Sequence, residues 1–180
     1  MSSQHPSGNY PASKCIDGVT DSMANQTSDP AFSMCHTDPK DKTPKLTIEL
    51  KGRFPVSSVV IFNRADTSWD RTSDLTVWVT DAPPKHNVAN SGTLARTWVD
   101  ANLLARYKGP GGQGEVITIA GDRPIWGKYV TIEQLHTTRP PINLLEVQVF
   151  EKVPPLGSYT TERIFISSVQ IVVFVWALAT

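Results

Sequence analysis

Alternation of apolar and polar residues with a period of two runs through most of this chain. In 45–50, KLTIEL, Leu46, Ile48 and Leu50 fall on one face and Thr47 and Glu49 on the other. DLTVWVT at 74–80 sets Leu75, Val77 and Val79 against Thr76, Trp78 and Thr80. VSSVVIF (56–62), EVITIA (115–120), KYVTIEQL (128–135) and NLLEVQVF (143–150) repeat the theme and are rich in β-branched residues. This is the mark of half-buried strands. Gly52, Pro83-Pro84, the glycine cluster at 109–114 and Pro140-Pro141 separate the runs as turn-formers. Many short strands divided by such turns predict an all-β chain, an antiparallel β-sandwich or jelly roll. Binding groups on such a fold belong in the loops at its ends.

Residues 153–160, VPPLGSYT, read as a linker, and 164–180, IFISSVQIVVFVWALAT, as an uncharged apolar tail. As a helix the tail would reach roughly 26 Å, short of a ~30 Å hydrocarbon layer. An extra strand, a membrane anchor and an irregular extension all stay open. The domain proper therefore spans 1–152 and the linker with its tail 153–180.

At 180 residues the economical reading is one core. Lys plus Arg equals Asp plus Glu at 17 each, so no net field draws the chain to nucleic acid or an anionic membrane. Only Cys15 and Cys35 are present, and they form no C-x-x-C pair, which argues against a structural zinc and leaves one disulfide possible. MSSQHPSGNYPASK has no apolar core of a secretory signal. Asn25-Gln26-Thr27 fits a glycosylation sequon.

GPGGQG at 109–114 matches a dinucleotide-binding spacing, but it precedes a strand and not a helix, so it reads as a glycine-rich hairpin loop. No nucleophile elbow, zincin, P-loop or EF-hand pattern occurs. His5, His36, His86 and His136 are scattered without metal-ligand spacing. Nothing makes a positive case for an enzyme.

What remains is NRADTSWDR at 63–71, with two arginines and two aspartates in one loop of a neutral protein. His36 lies in an earlier loop, SMCHTDP, with 27 residues between it and Arg64. That length allows one strand across the sandwich and another back, so His36, Arg64 and Arg71 can converge at one end. An imidazole and two guanidinium forks suit a neutral, hydroxyl-rich ligand. Asp66 and Asp70 would brace the forks. The bland alternative is a solvated charged loop.

The series His36-Thr37 … Asn63-Arg64-Ala65-Asp66-x4-Arg71 resembles the signature of F-type lectins, or fucolectins, in which a His precedes R-x-D-x4-R/K by about two dozen residues. PASKCIDG, GKYVTI (127–132) and NLLEVQVF resemble further segments of that family in the same order, so the likeness covers about residues 2–151. It implies a discoidin-like, galactose-binding jelly roll that recognises terminal L-fucose on glycans or glycoproteins without catalysis. His36 would meet the axial hydroxyl, and Arg64 and Arg71 the ring oxygen and neighbouring hydroxyls. It also implies a structural calcium held by Asp17, Glu146 and Ser33, with backbone carbonyls of Lys14, Val19 and Leu145. Calcium's demand for six to eight oxygens agrees. Taken alone, Asp17 reads as a turn aspartate and Glu146 as an outward strand carboxylate.

The chain also departs from that pattern. Thr67 and Ser68 stand where well-studied members carry adjacent cysteines that pack on the sugar; Trp69 follows, either as a substitute apolar face or as ordinary loop packing. Leu145 occupies the position expected to pair with the family's usual cysteine, so the common disulfide is absent. Cys15 and Cys35 flank the implied calcium loop, and their pairing stays open. The strand that usually precedes Ser2 is missing, as in a truncated product. By resemblance the protein is secreted or extracellular, with a homo-oligomer possible and a membrane partner only if the tail anchors. Two other readings survive: a discoidin-like adhesion module for protein or lipid, and a carbohydrate-binding module of a larger protein.

Overall fold

The computed structural model describes residues 1–20, 34–83, 102–134 and 141–152 with their side chains, and the backbone of 162–165. It is all-β: β1 (Cys35–His36), β2 (Lys45–Phe62), β3 (Leu75–Thr80), β4 (Leu103–Tyr107), β5 (Val116–Gln134), β6 (Asn143–Leu144), β7 (Glu146–Lys152) and β8 (Glu162–Phe165). Six strands form an antiparallel sheet in the order β4-β3-β5-β2-β7-β8, and β1 pairs with β6. The antiparallel sandwich is as expected.

β2 and β5 are longer than the alternation suggested, because each fuses two of the expected strands. Gly52 is not a turn: β2 runs through it, with a register shift against β5 between Glu49 and Phe54 and another between Val56 and Ser58. Bulges of this kind bend a strand without ending it. The first half of β2 pairs with the end of β5 (Leu46 with Ile132), and its second half with the beginning (Ile61 with Ile117). The sheet therefore folds into two leaves. Leu46, Ile48, Leu75, Val77, Val130 and Ile132 from one leaf share a single core with Val59, Ile61, Ile119, Val147 and Val149 from the other. At the bend, a Cβ on Gly127 would lie 2.6 Å from Val79 Cγ1 and 2.8 Å from the Thr80 carbonyl oxygen, so only glycine fits there.

Two other expectations fail locally. The alternation sets Trp78 and Thr76 opposite the face of Leu75, Val77 and Val79, yet both are buried, and Trp78 Nε1–H donates to Glu133 Oε2 at 3.3 Å. β3 is covered on both faces, so its alternation does not separate core from water. β4 was missed because LLARY alternates poorly. β8 pairs with β7 from Val149–Phe165 to Lys152–Glu162, which adds a strand beyond the expected domain end at 152. The other tail residues lie outside the described part, as do Asn25, Ser33, His86 and His136.

The consequence for function lies at the strand ends. Asn63 N–H donates to the Glu115 carbonyl at 2.9 Å, and Gln134 N–H to the Pro44 carbonyl at 3.1 Å. Both ends of β2 and both ends of β5 thus meet at one pole of the sandwich, opposite the bend.

Candidate functional site

His36 sits on β1, a strand of two residues that is held from both sides. Its N–H donates to the Tyr10 carbonyl at 3.2 Å, and its own carbonyl accepts the His5 N–H at 2.9 Å. On the other side Thr37 N–H reaches the Ile142 carbonyl and Ile142 N–H returns to Thr37 Oγ1, each at 3.0 Å. His36 is 8% exposed. Its Nδ1 is 2.6 Å from the Thr37 carbonyl oxygen. A carbonyl only accepts, so Nδ1 carries the proton and Nε2 of the neutral ring is an acceptor. Burial lowers the pKa of His36, against the raising effect of the Thr37 hydrogen bond, and the charges of His5, Arg64 and Arg71 lower it further. The charges of both arginines thus favour the neutral imidazole.

The arginine loop has a buried organiser. Asn63 is 1% exposed and makes four hydrogen bonds through its side chain. Nδ2 donates to the Trp69 carbonyl at 2.9 Å and the Gly112 carbonyl at 2.7 Å. Oδ1 accepts Arg64 N–H at 2.9 Å and the Thr72 hydroxyl at 2.7 Å. One carboxamide thus ties the start of the loop to its end and to the glycine-rich hairpin. Close approach demands glycine in that hairpin, where a Cβ on Gly111 would meet Asn63 Nδ2 at 2.8 Å and Ile117 Cδ1 at 2.9 Å. The loop is not a solvated charge run.

Arg64 is 9% exposed, and Asp66 takes its Nε and Nη2 in a two-point fork. The Arg64 guanidinium, with burial opposing, holds the Asp66 carboxyl below the ordinary carboxylate value; a bond from Ser68 N–H at 3.2 Å adds to the lowering. Arg71 is half-buried at the end of a 3-10 turn, Trp69–Arg71, and its carbonyl accepts from Gln134 Nε2 at 2.8 Å. Asp70, expected to brace a fork as Asp66 does, is exposed and pairs with neither arginine among the described residues; the 3-10 turn leaves it at the surface. Trp69 is half-buried in that turn.

Sequence reasoning missed the groups that support this arrangement. His5 lies edge-on to His36 with ring centroids 4.7 Å apart, and Tyr10 is 5.6 Å from it. His5 Nδ1 lies 2.9 Å from Ser7 Oγ and accepts the Ser7 N–H at 3.3 Å. Nothing in the irregular stretch 1–10 marks these residues, and Asn63 and Gln134 look like ordinary strand-end polar residues.

The second constellation surrounds the turn after the 3-10 segment Ala12–Ile16. Glu146 is fully buried, which excludes an outward strand carboxylate. Its Oε2 accepts Gly18 N–H at 3.1 Å, and its Oε1 has no partner among the described residues. Burial raises its pKa to about 7; the Gly18 N–H opposes the shift and the charge of Asp17 adds to it. Asp17 does serve its turn, with Oδ1 accepting Val19 N–H at 3.1 Å, while its Oδ2 is 3.9 Å from Lys14 Nζ. Gly18 supplies the positive φ of 83° that closes the turn. A Cys15–Cys35 disulfide, left open by the sequence, ties this turn to the strand of His36. Among the described residues no three His, Cys, Asp or Glu side chains cluster around a metal position. The donor set nevertheless fits a hard cation: a buried carboxylate oxygen lacks a partner beside a second carboxylate, and carbonyls can supply the remaining oxygens.

Comparison with known proteins adds the family. The model of the NedA-like, galactose-binding domain matches residues 14–132. The chain belongs to that family. Among solved structures, the NedA-like chain is similar to a fucolectin from striped bass (Morone saxatilis) serum, with 22% identity and a TM-score of 0.63 over 87% of this chain and 47% of that one. It therefore spans about half the length of the striped bass lectin. It is also similar to a Streptococcus pneumoniae fucose binding module, at 22% identity and a TM-score of 0.57 over 83% of this chain and 86% of that one. The family 32 carbohydrate-binding module of C. perfringens NanJ, solved with galactose, is similar at 20% identity and a TM-score of 0.57, over 82% of this chain and 88% of that one. At such identities these likenesses establish the fold. No curated protein matches the sequence.

Asn63 makes the sharpest test of the loop's construction. Asn63→Ala should cost about 3 kcal/mol of unfolding free energy, since it leaves buried partners unmet. Urea denaturation of the variant against wild type measures it.

Proposed function

We propose that this NedA-like domain is a non-catalytic, carbohydrate-binding lectin whose ligand is a terminal L-fucose on glycans or glycoproteins. The observation that carries the reading is the buried His36 imidazole whose Nε2 is left as an acceptor, together with the Arg64 fork that Asp66 braces. A sugar hydroxyl donates to that nitrogen, and guanidinium N–H groups donate to hydroxyl and ring oxygens. Asp66 fixes the Arg64 fork before ligand arrives, which reduces the ordering cost on binding. Half-buried Trp69 offers an apolar surface for the sugar's C–H face where the cysteine pair of fucolectins would lie. The fold likeness to a fucolectin and a fucose binding module supports this ligand class over lipid or protein adhesion. Several chains acting together would raise the avidity of such a weak site, and a secreted, extracellular setting suits it.

Calcium belongs to the same reading as a structural ion. Asp17 and Glu146 would bind it with their carboxylates, and Lys14, Val19 and Leu145 with their carbonyls. Ser33, the remaining expected ligand, lies outside the described residues. When bound, the ion neutralises the buried carboxyl of Glu146 and holds the turn that the disulfide links to His36.

Affinity for the monosaccharide should be about 0.1–1 mM, or about −4 to −5.5 kcal/mol. Each of His36→Ala, Arg64→Ala and Arg71→Ala removes a hydrogen bond worth about 1.5–3 kcal/mol and so abolishes detectable retention on immobilised fucose. A folded variant with undiminished affinity would exclude its residue from the site. Binding should also hold steady at neutral pH and weaken only below the ordinary histidine value of 6.5, because a lowered pKa keeps His36 an acceptor until more acid conditions. Calorimetric titration across pH checks the direction; loss of binding above that value would refute it. Chelation should lower the melting temperature of wild type but not of Glu146→Gln, since an ion held by the folded state alone stabilises it. Equal melting curves with and without chelator would remove the calcium.

A further inference from the structure

Three buried side-chain polar atoms lack a hydrogen-bond partner among the described residues, and all three lie on residues 143 to 146. One is the Glu146 oxygen considered above. The other two are the two ends of one carboxamide, Nδ2 and Oδ1 of Asn143, a residue 1% exposed. Burying a carboxamide with both ends unmet forfeits the bonds that water would have supplied. Packing alone does not call for it. Its chain neighbours Ile142 and Leu144 are buried and apolar, and leucine has the same branched outline without the polar cost.

Its position indicates what completes it. Asn143 is the cross-strand partner of His36 where β6 meets β1. Directly opposed residues of an antiparallel pair stand on the same face, with Cβ atoms about 5 Å apart. The unmet amide therefore belongs to the same face of the strand pair as the imidazole that anchors the proposed sugar. A hydroxyl both donates and accepts; His36 Nε2 can only accept, whereas a carboxamide offers both functions. We propose that Asn143 is a further ligand-binding residue of this site, its carboxamide taking a glycan hydroxyl next to the one held by His36. The assignment rests on the carbohydrate reading above and adds a specificity contact to it. Without ligand the amide is screened and unmet; with ligand it gains its partners. A residue kept for binding at a cost to stability is the pattern expected of a functional group in a core.

Asn143→Leu removes both polar ends while keeping the branched outline, and Asn143→Ala provides a second variant that adds no bulk. Melting temperature and affinity for immobilised L-fucose and D-galactose are measured for both variants, for wild type and for His36→Ala. The expected result is a leucine variant that melts at or above the wild-type temperature yet binds at least about tenfold more weakly. A series of monodeoxy sugars should then contain one whose loss of affinity with wild type is not repeated with Asn143→Leu. Wild-type affinity in the leucine variant would overturn the assignment and leave the amide to a buried water. Failure of both variants to fold would overturn it too, by making Asn143 part of the scaffold. If wild type captures no glycan at all, the carbohydrate reading falls and this assignment with it. Retained binding in Asn143→Leu sinks the assignment alone.

Discussion

Two long strands that bend at the same place set the conditions for everything else in this domain. Because β2 and β5 fold over together, the chain leaves one pole of the sandwich, turns at Gly127 and Phe54, and returns to the pole where it began. Segments far apart in sequence are thereby delivered to one rim: the arginine loop after Phe62, the glycine hairpin before Val116, and the end of β5 at Gln134. A bend made by bulges keeps the strand pairing on both sides of it, so the leaves share a core and the rim rests on a rigid base.

On that rim a few buried polar groups do the positioning. Asn63 spends its entire side-chain hydrogen-bonding capacity on the loop, and it is this, more than the charges themselves, that separates the segment from a solvated turn. Arg64 can be nearly buried because Asp66 meets it at two points. His36 can remain a neutral acceptor because burial and nearby positive charge both resist its protonation. Each of these states rests on a neighbouring group that the fold supplies.

The strands at 45–50 and 56–62 were legible because alternation on one half-buried face is a local signal. Gly52 was misread for the same reason: whether a glycine ends a strand or bulges within it depends on the partner strand. Trp78 was misplaced because no local pattern shows that β3 is covered on both sides. His36, Arg64, Asp66 and Arg71 stand out through spacing that resembles a known signature, and the Arg64–Asp66 pair is formed in the structure. Asp70 sits in the same motif, but the turn geometry turns it to the surface. His5, Tyr10 and Asn63 act through tertiary neighbours and leave no periodic trace. The disulfide between Cys15 and Cys35 stayed undecided because two cysteines in irregular segments carry no geometry.

The central claim is that one imidazole and two guanidinium groups at this rim hold a single deoxyhexose. A crystal structure of the chain grown with L-fucose tests it most directly. The account predicts one sugar at the pole of Asn63 and Gln134, with a hydroxyl donating to His36 Nε2 and hydrogen bonds from both Arg64 and Arg71. Fucose bound at another surface, or either arginine directed into solvent while the sugar is held by other groups, would contradict it.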